Sequence, residues 1–491
     1  MQGAGAQGPG LIYNRALSNV GIHGFVGDVL YPVEAQSEMG KQSVIQRAAW
    51  AGRAAAAVGL AASLAMISGC GNAYRPVVTA IGVVGPAAQP VKYAIAVSSP
   101  GPSANGLLTM VDFSGDTVLV TATLGINPYY LALNPSGTTA YTLNSDATVT
   151  SADLSPSLIS SQVLESTLLT GASPVSLYAS ANTTYIADPG VDAIDQLFNI
   201  PAALKQELPV GAGYKPVYVV GQGSASRFYS INQSTSGGTG QVEAIENANS
   251  STTSPTISAT LPVGRGPIYG VMTLDTRRAF ILNQTDGTVS VINAQTNELD
   301  TPVNTIPVGV SPVWADLAAG LDELVVVNQG TGTSNGSVTI VNIPLCSSTA
   351  LPTNPNCDPT NPIDATAFGQ VVTTIPVGVN PIMVSVLSDY SRAYVANAGN
   401  PNLPCGTGAV GSGTTLCSVS VVNLSTDTVT ATIPINGHPA WIATTNATPT
   451  GKVYVVCKDS QVMTVIETDT DTVHTTIPLQ GYGVSVRVTS Q

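Results

Sequence analysis

The chain has 491 residues, more than one ordinary hydrophobic core accommodates, so repeats or several cores must build it. Only 9% of residues are charged against 44% hydrophobic, with 48 Gly and 34 Pro, which excludes charge-driven disorder and predicts a large core with many turns. From residue 70 onward 12 Lys and Arg face 26 Asp and Glu, a net charge of −14 that sets nucleic acid aside as a partner.

The first informative stretch is AAAAVGLAASLAMIS, residues 54–68, an uncharged apolar run behind Lys41, Arg47 and Arg53 and ahead of Gly69 and Cys70. Basic region, apolar region and small-residue site stand in the order of a secretory signal. The run falls short of the roughly 20 residues a permanent span needs. Ile67-Ser68-Gly69-Cys70 resembles the bacterial lipobox. That resemblance implies lipid on Cys70, export, and attachment to a membrane of the cell envelope, on its periplasmic or outer side. An ordinary signal peptide with an incidental cysteine, or an uncleaved anchor, are the alternatives. Because signals normally begin within a few residues of their basic region, Met39 is the expected start. Residues 1–38 are then an extension, 39–69 the signal peptide, 70–89 a tether and 90–491 the folded domain.

After residue 70 helical periodicity is almost absent, and a different period takes over. LPVGRGP (261–267), IPVGVSP (306–312), IPVGVNP (375–381) and IPINGHP (433–439) repeat one spelling. The Gly-x-x-Pro junctions at Gly125, Gly171, Gly211, Gly264, Gly309, Gly378 and Gly437, with a degenerate one at Gly481, bound seven segments. Each segment carries four short apolar runs rich in β-branched and aromatic residues. In the clearest they read PIYGVMTL, RRAFILN, GTVSVIN and a fourth ending in NTIPV, a four-stranded antiparallel meander. The junction reads as a blade crossing: the first Pro ends an outer strand, the Gly permits the turn, and the second Pro begins the next inner strand. The second run ends in Asn or Asp in most segments: Tyr141 to Asn144, Tyr185 to Asp188, Tyr229 to Asn232, Phe280 to Asn283, Val325 to Asn328 and Tyr394 to Asn397. A residue of that kind can bond its own backbone and tolerate left-handed geometry in the turn that follows.

Tyr394-Val395-Ala396-Asn397 with its neighbours resembles the YVTN-type β-propeller repeat, over residues 90–491. The resemblance implies an all-β fold, blades of four antiparallel strands around a central channel. It implies little about function, since propellers host many activities. Residues 90–124 hold only three runs, and 481–491 only one run of inner type. Together they make one further blade, closed by pairing the chain's two ends, for eight in all. Seven is the alternative if the divergent segment 171–210 forms no blade, and RPVVTAIG (75–82) is a rival for the missing strand.

No catalytic, metal-binding or cofactor fingerprint appears, so no catalytic residue, metal site or cofactor is assigned. Asp469 and Asp471 lack the ligand count calcium needs and read as turn residues. Cys346 with Cys357 and Cys405 with Cys417 bracket two long loops and are disulfide candidates in an exported protein. Cys457 reads as a buried structural thiol. His438, in a junction, reads as a partly exposed loop residue or a channel-mouth acid or base. Two residues past the junction proline stand Tyr130, Ser176, Tyr218, Tyr269, Trp314, Met383 and Trp441, with Ser485 after the degenerate junction. Five of these eight are aromatic in a chain that is 5% aromatic, so they form a broken ring near one channel mouth: interblade packing, or a stacking surface for a glycan or other flat ligand. On the inner strands Asp316 and Arg487 are the charged exceptions. The function these observations favour is a non-catalytic, lipid-anchored scaffold in the envelope that binds a protein, peptide or glycan. A lactonase-like hydrolase with a site in the channel and a structural surface-layer component are the alternatives.

Overall fold

Burial along the strands separates their roles. Second strands such as Arg392–Asn397 are apolar on both faces and almost wholly buried, as strands sandwiched between neighbouring sheets must be. Fourth strands such as Thr428–Pro434 alternate exposed and half-buried residues, which marks them as outer edges. The computed structural model describes residues 92–154, 163–198, 203–223, 225–250, 252–344, 367–406, 413–445 and 451–489. They form eight four-stranded antiparallel sheets arranged as an eight-bladed β-propeller. Among the described residues no helix is long and apolar enough to cross a membrane.

Seven blades follow the chain: blade 1 spans 128–167, blade 2 176–209, blade 3 214–265, blade 4 267–307, blade 5 312–379, blade 6 381–434 and blade 7 439–478. The eighth is composite. Its inner strand Tyr482–Val488 pairs antiparallel with Tyr93–Ser99, which continues to Asn105–Asp112 and Thr117–Ile126. The divergent segment forms a complete blade, Ser176–Ala179 to Ala203–Pro209, so eight stands and seven does not. The closing blade has its four strands without residues 75–82, which lie outside the described residues, as do Cys70, Cys346 and Cys357. Blade 4 departs from the pattern in its outer strand, split into Glu298–Leu299 and Thr305–Pro307.

The junction works differently from the sequence expectation. Gly264 and Gly378 lie inside extended outer strands, and neither they nor Gly309 adopts a positive φ. The left-handed residue is the one just before the second proline: Asn127, Gly266, Ser311 and Asn380, with φ between 44° and 62°. The junction glycine is needed for space instead. A methyl on Gly264 or Gly378 would come within 2.6 Å of the Asn283 or Asn397 side chain. That asparagine, in turn, does not bond its own turn. Asn397 Nδ2 donates to Ser418 and Ser420 on the third strand (3.1 and 2.9 Å), Asn283 to Thr288 and Ser290, Asn328 to Ser337 and Thr339, and Asn144 to Thr148 and Thr150. Each of these nodes ties the second strand to the third within one blade and packs against the junction glycine at the end of the blade before it.

Tyrosines of the second strands lock neighbouring blades. Tyr141, Tyr185, Tyr229, Tyr394 and Tyr454 are among the largest fully buried side chains, each worth a few kcal/mol of apolar burial. Tyr394 Oη donates to Asp471 Oδ1 at 2.5 Å while Arg392 Nη1 meets Asp471 Oδ2 at 2.7 Å, joining blade 6 to blade 7. Lys452 and Tyr454 of blade 7 repeat the arrangement on Asp116 of the closing blade. Asp471 is thus a latch within its turn.

Candidate functional site

The site grows from the inner strands. In blades 1, 4, 5, 6 and 7 the inner strand begins at the second junction proline and a bulge follows, and in blade 3 the same bulge follows Pro216 inside Tyr214–Val220; the next side chain, two residues past the proline, meets its counterparts on other blades. Blades 1, 3, 4, 5 and 7 carry Tyr130, Tyr218, Tyr269, Trp314 and Trp441 there. Blades 2 and 6 and the closing blade carry Ser176, Met383 and Ser485. The smaller residues leave room for rings from non-adjacent blades to meet across the axis. Tyr218 and Tyr269 lie 4.8 Å apart between centroids, and Tyr269 stacks on Trp314 at 4.0 Å and 23°. Trp314 meets Trp441 edge-on at 5.3 Å, across blade 6, and Trp441 meets Tyr130 edge-on at 6.1 Å, across the closing blade. The Tyr130 and Tyr218 hydroxyls approach each other across blade 2 and complete the circle. Five rings therefore close on one another in the channel rather than spacing out as a broken ring at its mouth. Burial raises the pKa of the three phenols, which stay protonated.

Two residues further along the same face of the inner strands lies a second, mixed layer, in which Tyr178, Asp316, Ser385 and Arg487 stand among Ala132, Val220, Val271 and Ala443. Arg487 sits 4.3 Å over the Trp441 ring and donates from Nε to the Leu131 carbonyl at 3.4 Å. Asp316 accepts from the backbone N–H of Leu317 and of Val386, each at 2.8 Å. Its carboxyl is pushed up to about 6 by burial, against the pull of those two donors and of Arg487. Ser385 and Thr444 share a hydrogen bond at 2.9 Å beside it.

Above this layer the channel opens as two lobes at the end where the inner strands finish. The smaller, about 340 Å³, is lined by Tyr130, Asn134, Tyr178, Tyr218, Arg487 and Thr489. The larger, about 560 Å³, is lined by Gln222, Leu274, Asp316, Ser385, Tyr390 and Thr444. Neither lobe is lined by His438. That residue is buried, 6% exposed, rather than partly exposed as the sequence suggests. Its Nδ1 donates to the Ala398 carbonyl at 2.5 Å, and Cys417 Sγ lies 3.6 Å away. Cys405 and Cys417 form the expected disulfide, and its contact with His438 places this loop on the junction face. Cys405, Cys417 and His438 are the one group of three potential metal ligands among the described residues. While the disulfide is formed its sulfurs have no thiolate to offer, so the group does not fit a metal. Cys457 is buried and free, its thiol pushed up to about 12 by burial and the nearby Asp459.

Sequence reasoning found the aromatic positions but not Tyr178, Asn134 or Gln222 as lining residues, and marked Asp316 and Arg487 only as exceptions. The signal that would have found Tyr178, Asp316, Ser385 and Arg487 is strand parity: in a strand, residues i and i+2 share a face.

No protein-family model matches the chain, and no curated protein matches it. Solved structures do. Dihydro-heme d1 dehydrogenase NirN, solved in complex with DHE, is 13% identical over 84% of this chain and 78% of its own, with a TM-score of 0.58. Sqt1 of Saccharomyces cerevisiae is 12% identical over 73% of this chain and 86% of its own, TM-score 0.53. A 6-phosphogluconolactonase-like protein of Bacteroides fragilis is 14% identical over 82% of this chain and 99% of its own, TM-score 0.50. At such identities the likeness establishes the propeller fold and nothing finer.

Proposed function

We propose that an eight-bladed propeller of this construction acts as a non-catalytic binding scaffold, exported and held at a membrane of the bacterial cell envelope through lipid on Cys70. The observation that carries the binding role is the aromatic closure of the channel. It converts a through-channel into a floored basin open at one end, with tyrosines in its wall, a concave site of ordinary ligand-binding size. Of the three partner classes, a glycan or another small ringed ligand suits this basin better than a protein surface. The experiment is a fluorescence titration against a glycan and peptide panel, since Trp314 and Trp441 form the floor and report on what enters. Saturable spectral shifts that vanish in Trp441→Ala, with the fold intact by circular dichroism, support the reading; a panel with no hits, or hits unchanged in that variant, defeats it. The lipid on Cys70 is tested by radiolabelled palmitate incorporation, expected in the wild type and lost in Cys70→Ala.

One observation favours a hydrolase as a second reading. Asp316, held near pH 6 in a lobe beside Ser385 and Thr444, has the acidity of a general base that works near neutrality. A lactone panel assayed with the wild type and Asp316→Asn decides it: turnover lost in the variant installs the enzyme, and no turnover in either removes it.

A further inference from the structure

Most of the cations in this acidic domain are accounted for by carboxylates. Arg227 pairs with Glu246, Arg265 with Asp286, Arg278 with Asp300, Arg392 with Asp471 and Lys452 with Asp116, each at 2.5–2.7 Å. Arg487 is different. No acidic oxygen lies within 4.0 Å of it among the described residues, although it is part-buried against the Trp441 ring, where an unpaired charge costs more than at an open surface. Its neighbours are the Trp441 face, the Leu131 carbonyl and the side chain of Tyr130. A guanidinium has five N–H donors in a planar fork, and two oxygen acceptors do not saturate it. Asp316, the other inner-strand charge, feels Arg487 but spends both carboxylate oxygens on backbone N–H groups.

We propose that the smaller lobe is a carboxylate subsite, in which Arg487 receives the carboxylate of a small organic acid whose ring lies against Tyr178 and Tyr218. The inference rests on the binding-basin reading above and names the chemistry of its ligand. The planar fork matches a carboxylate in bidentate geometry, and burial of both charges makes such a pair stronger than at a surface. A phosphate is the poorer fit, because the lobe offers one cation and no helix N-terminus to share a second negative charge. The aromatic wall and floor supply the flat apolar contacts a ring needs, while Asn134 and Thr489 at the rim offer polar partners to hydroxyl groups on it. A volume of about 340 Å³ admits one sugar-acid or aromatic-acid ring rather than a long chain.

The test is calorimetric titration of the purified protein with glucuronate and benzoate, beside their neutral counterparts glucose and benzyl alcohol and beside inorganic phosphate. The acids should bind at least about 10-fold more tightly than their neutral counterparts, the contribution of one desolvated charge-assisted pair. Arg487→Gln should erase that preference, so that each acid binds no better than its neutral counterpart, and Arg487→Lys should keep part of it. Should Arg487→Gln fail to fold, dicarbonyl labelling of the wild type read by mass spectrometry replaces it: glucuronate should slow modification at Arg487 specifically. Wild type that binds no acid, acids no better bound than neutrals, phosphate preferred over both, a preference that survives Arg487→Gln, or labelling that glucuronate leaves unslowed each overturn the subsite. Neutral sugars that bind without an acid preference leave the binding basin standing while the carboxylate subsite falls.

Discussion

Blades 2 and 6 share a backbone plan and solve its central node with opposite chemistry. In blade 6 Asn397 closes the second strand and donates to Ser418 and Ser420, under the close approach of Gly378. In blade 2 the equivalent positions hold Asp188, Ala193 and Asp195. Asp188 accepts from the backbone N–H of Ser173 and Gly190 through one oxygen, and Asp195 faces it across the strand pair. Burial, and then the negative charges of Asp188 and Glu207, push Asp195 up to about 8, which favours its protonated form at neutral pH beside Asp188. Blade 3 stands between the two, with Asn232 donating to the buried carboxylate of Glu243 at 3.2 Å. The repeat therefore conserves a donor–acceptor relation at the node, while the residues that supply it vary from blade to blade.

The comparison breaks first at the glycines. Gly378→Ala forces a methyl into the Asn397 side chain and should cost about 3 kcal/mol, whereas Gly171, with φ 96° and only Val191 Cγ1 at 3.9 Å from an added Cβ, should lose only about 1 kcal/mol on replacement by Asn. Chemical denaturation of both variants measures the contrast, and equal losses would sink it. Next comes the disulfide, which blade 2 lacks. Replacing Cys405 and Cys417 together by Ser should cost about 2–3 kcal/mol through the 12-residue separation it closes, read as a lower midpoint in urea.

Protonation sharpens the comparison further. The folded pKa of Asp195 lies above its ordinary value of 3.8, so its stabilising contribution is complete below that value and is lost as pH rises through about 8. Unfolding free energy should fall between pH 4 and 8, and Asp195→Asn, which keeps a donor toward Asp188, should be clearly more stable than the wild type at pH 8 and about equal to it at pH 4. A pH series with no difference between the variant and wild type would show that the proton is not shared. The smallest effect belongs to the latch: Tyr394→Phe removes the bond to Asp471 and should cost about 1 kcal/mol, seen as a small drop in Tm, with no change if Arg392 alone holds the aspartate.

Much of the fold was legible because its signals are local. Four short runs per segment, prolines at the outer edge and at the start of each inner strand, and three runs at one end awaiting one at the other led to eight blades and their closure. The junction turn was read two residues early. Glycine suggested the turn, but Asn380 and Ser311 carry the left-handed conformation, while Gly378 and Gly309 make room for asparagine. Nothing in the linear sequence joins Gly378 to Asn397 over a strand pair. The candidate site was half legible: spacing from the junction proline identified Tyr130, Tyr218, Tyr269, Trp314 and Trp441, but not where they point.

The sequence by itself determined the repeat and its four-stranded meander and favoured eight blades closed by the chain's ends over seven, since these follow from period-two patterning and turn chemistry within some tens of residues. Only the tertiary structure decided that the segment 171–210 forms a blade, that Trp314 reaches Trp441 past blade 6, that Tyr130 reaches Tyr218 past blade 2, and that Arg487 lies over Trp441 in the wall of a lobe. It also decided that His438 is buried against the Cys405–Cys417 bridge instead of facing the channel mouth. Those contacts join residues on non-neighbouring blades or separate loops, and they exist because eight twisted sheets curve into a ring whose inner strands converge on one axis.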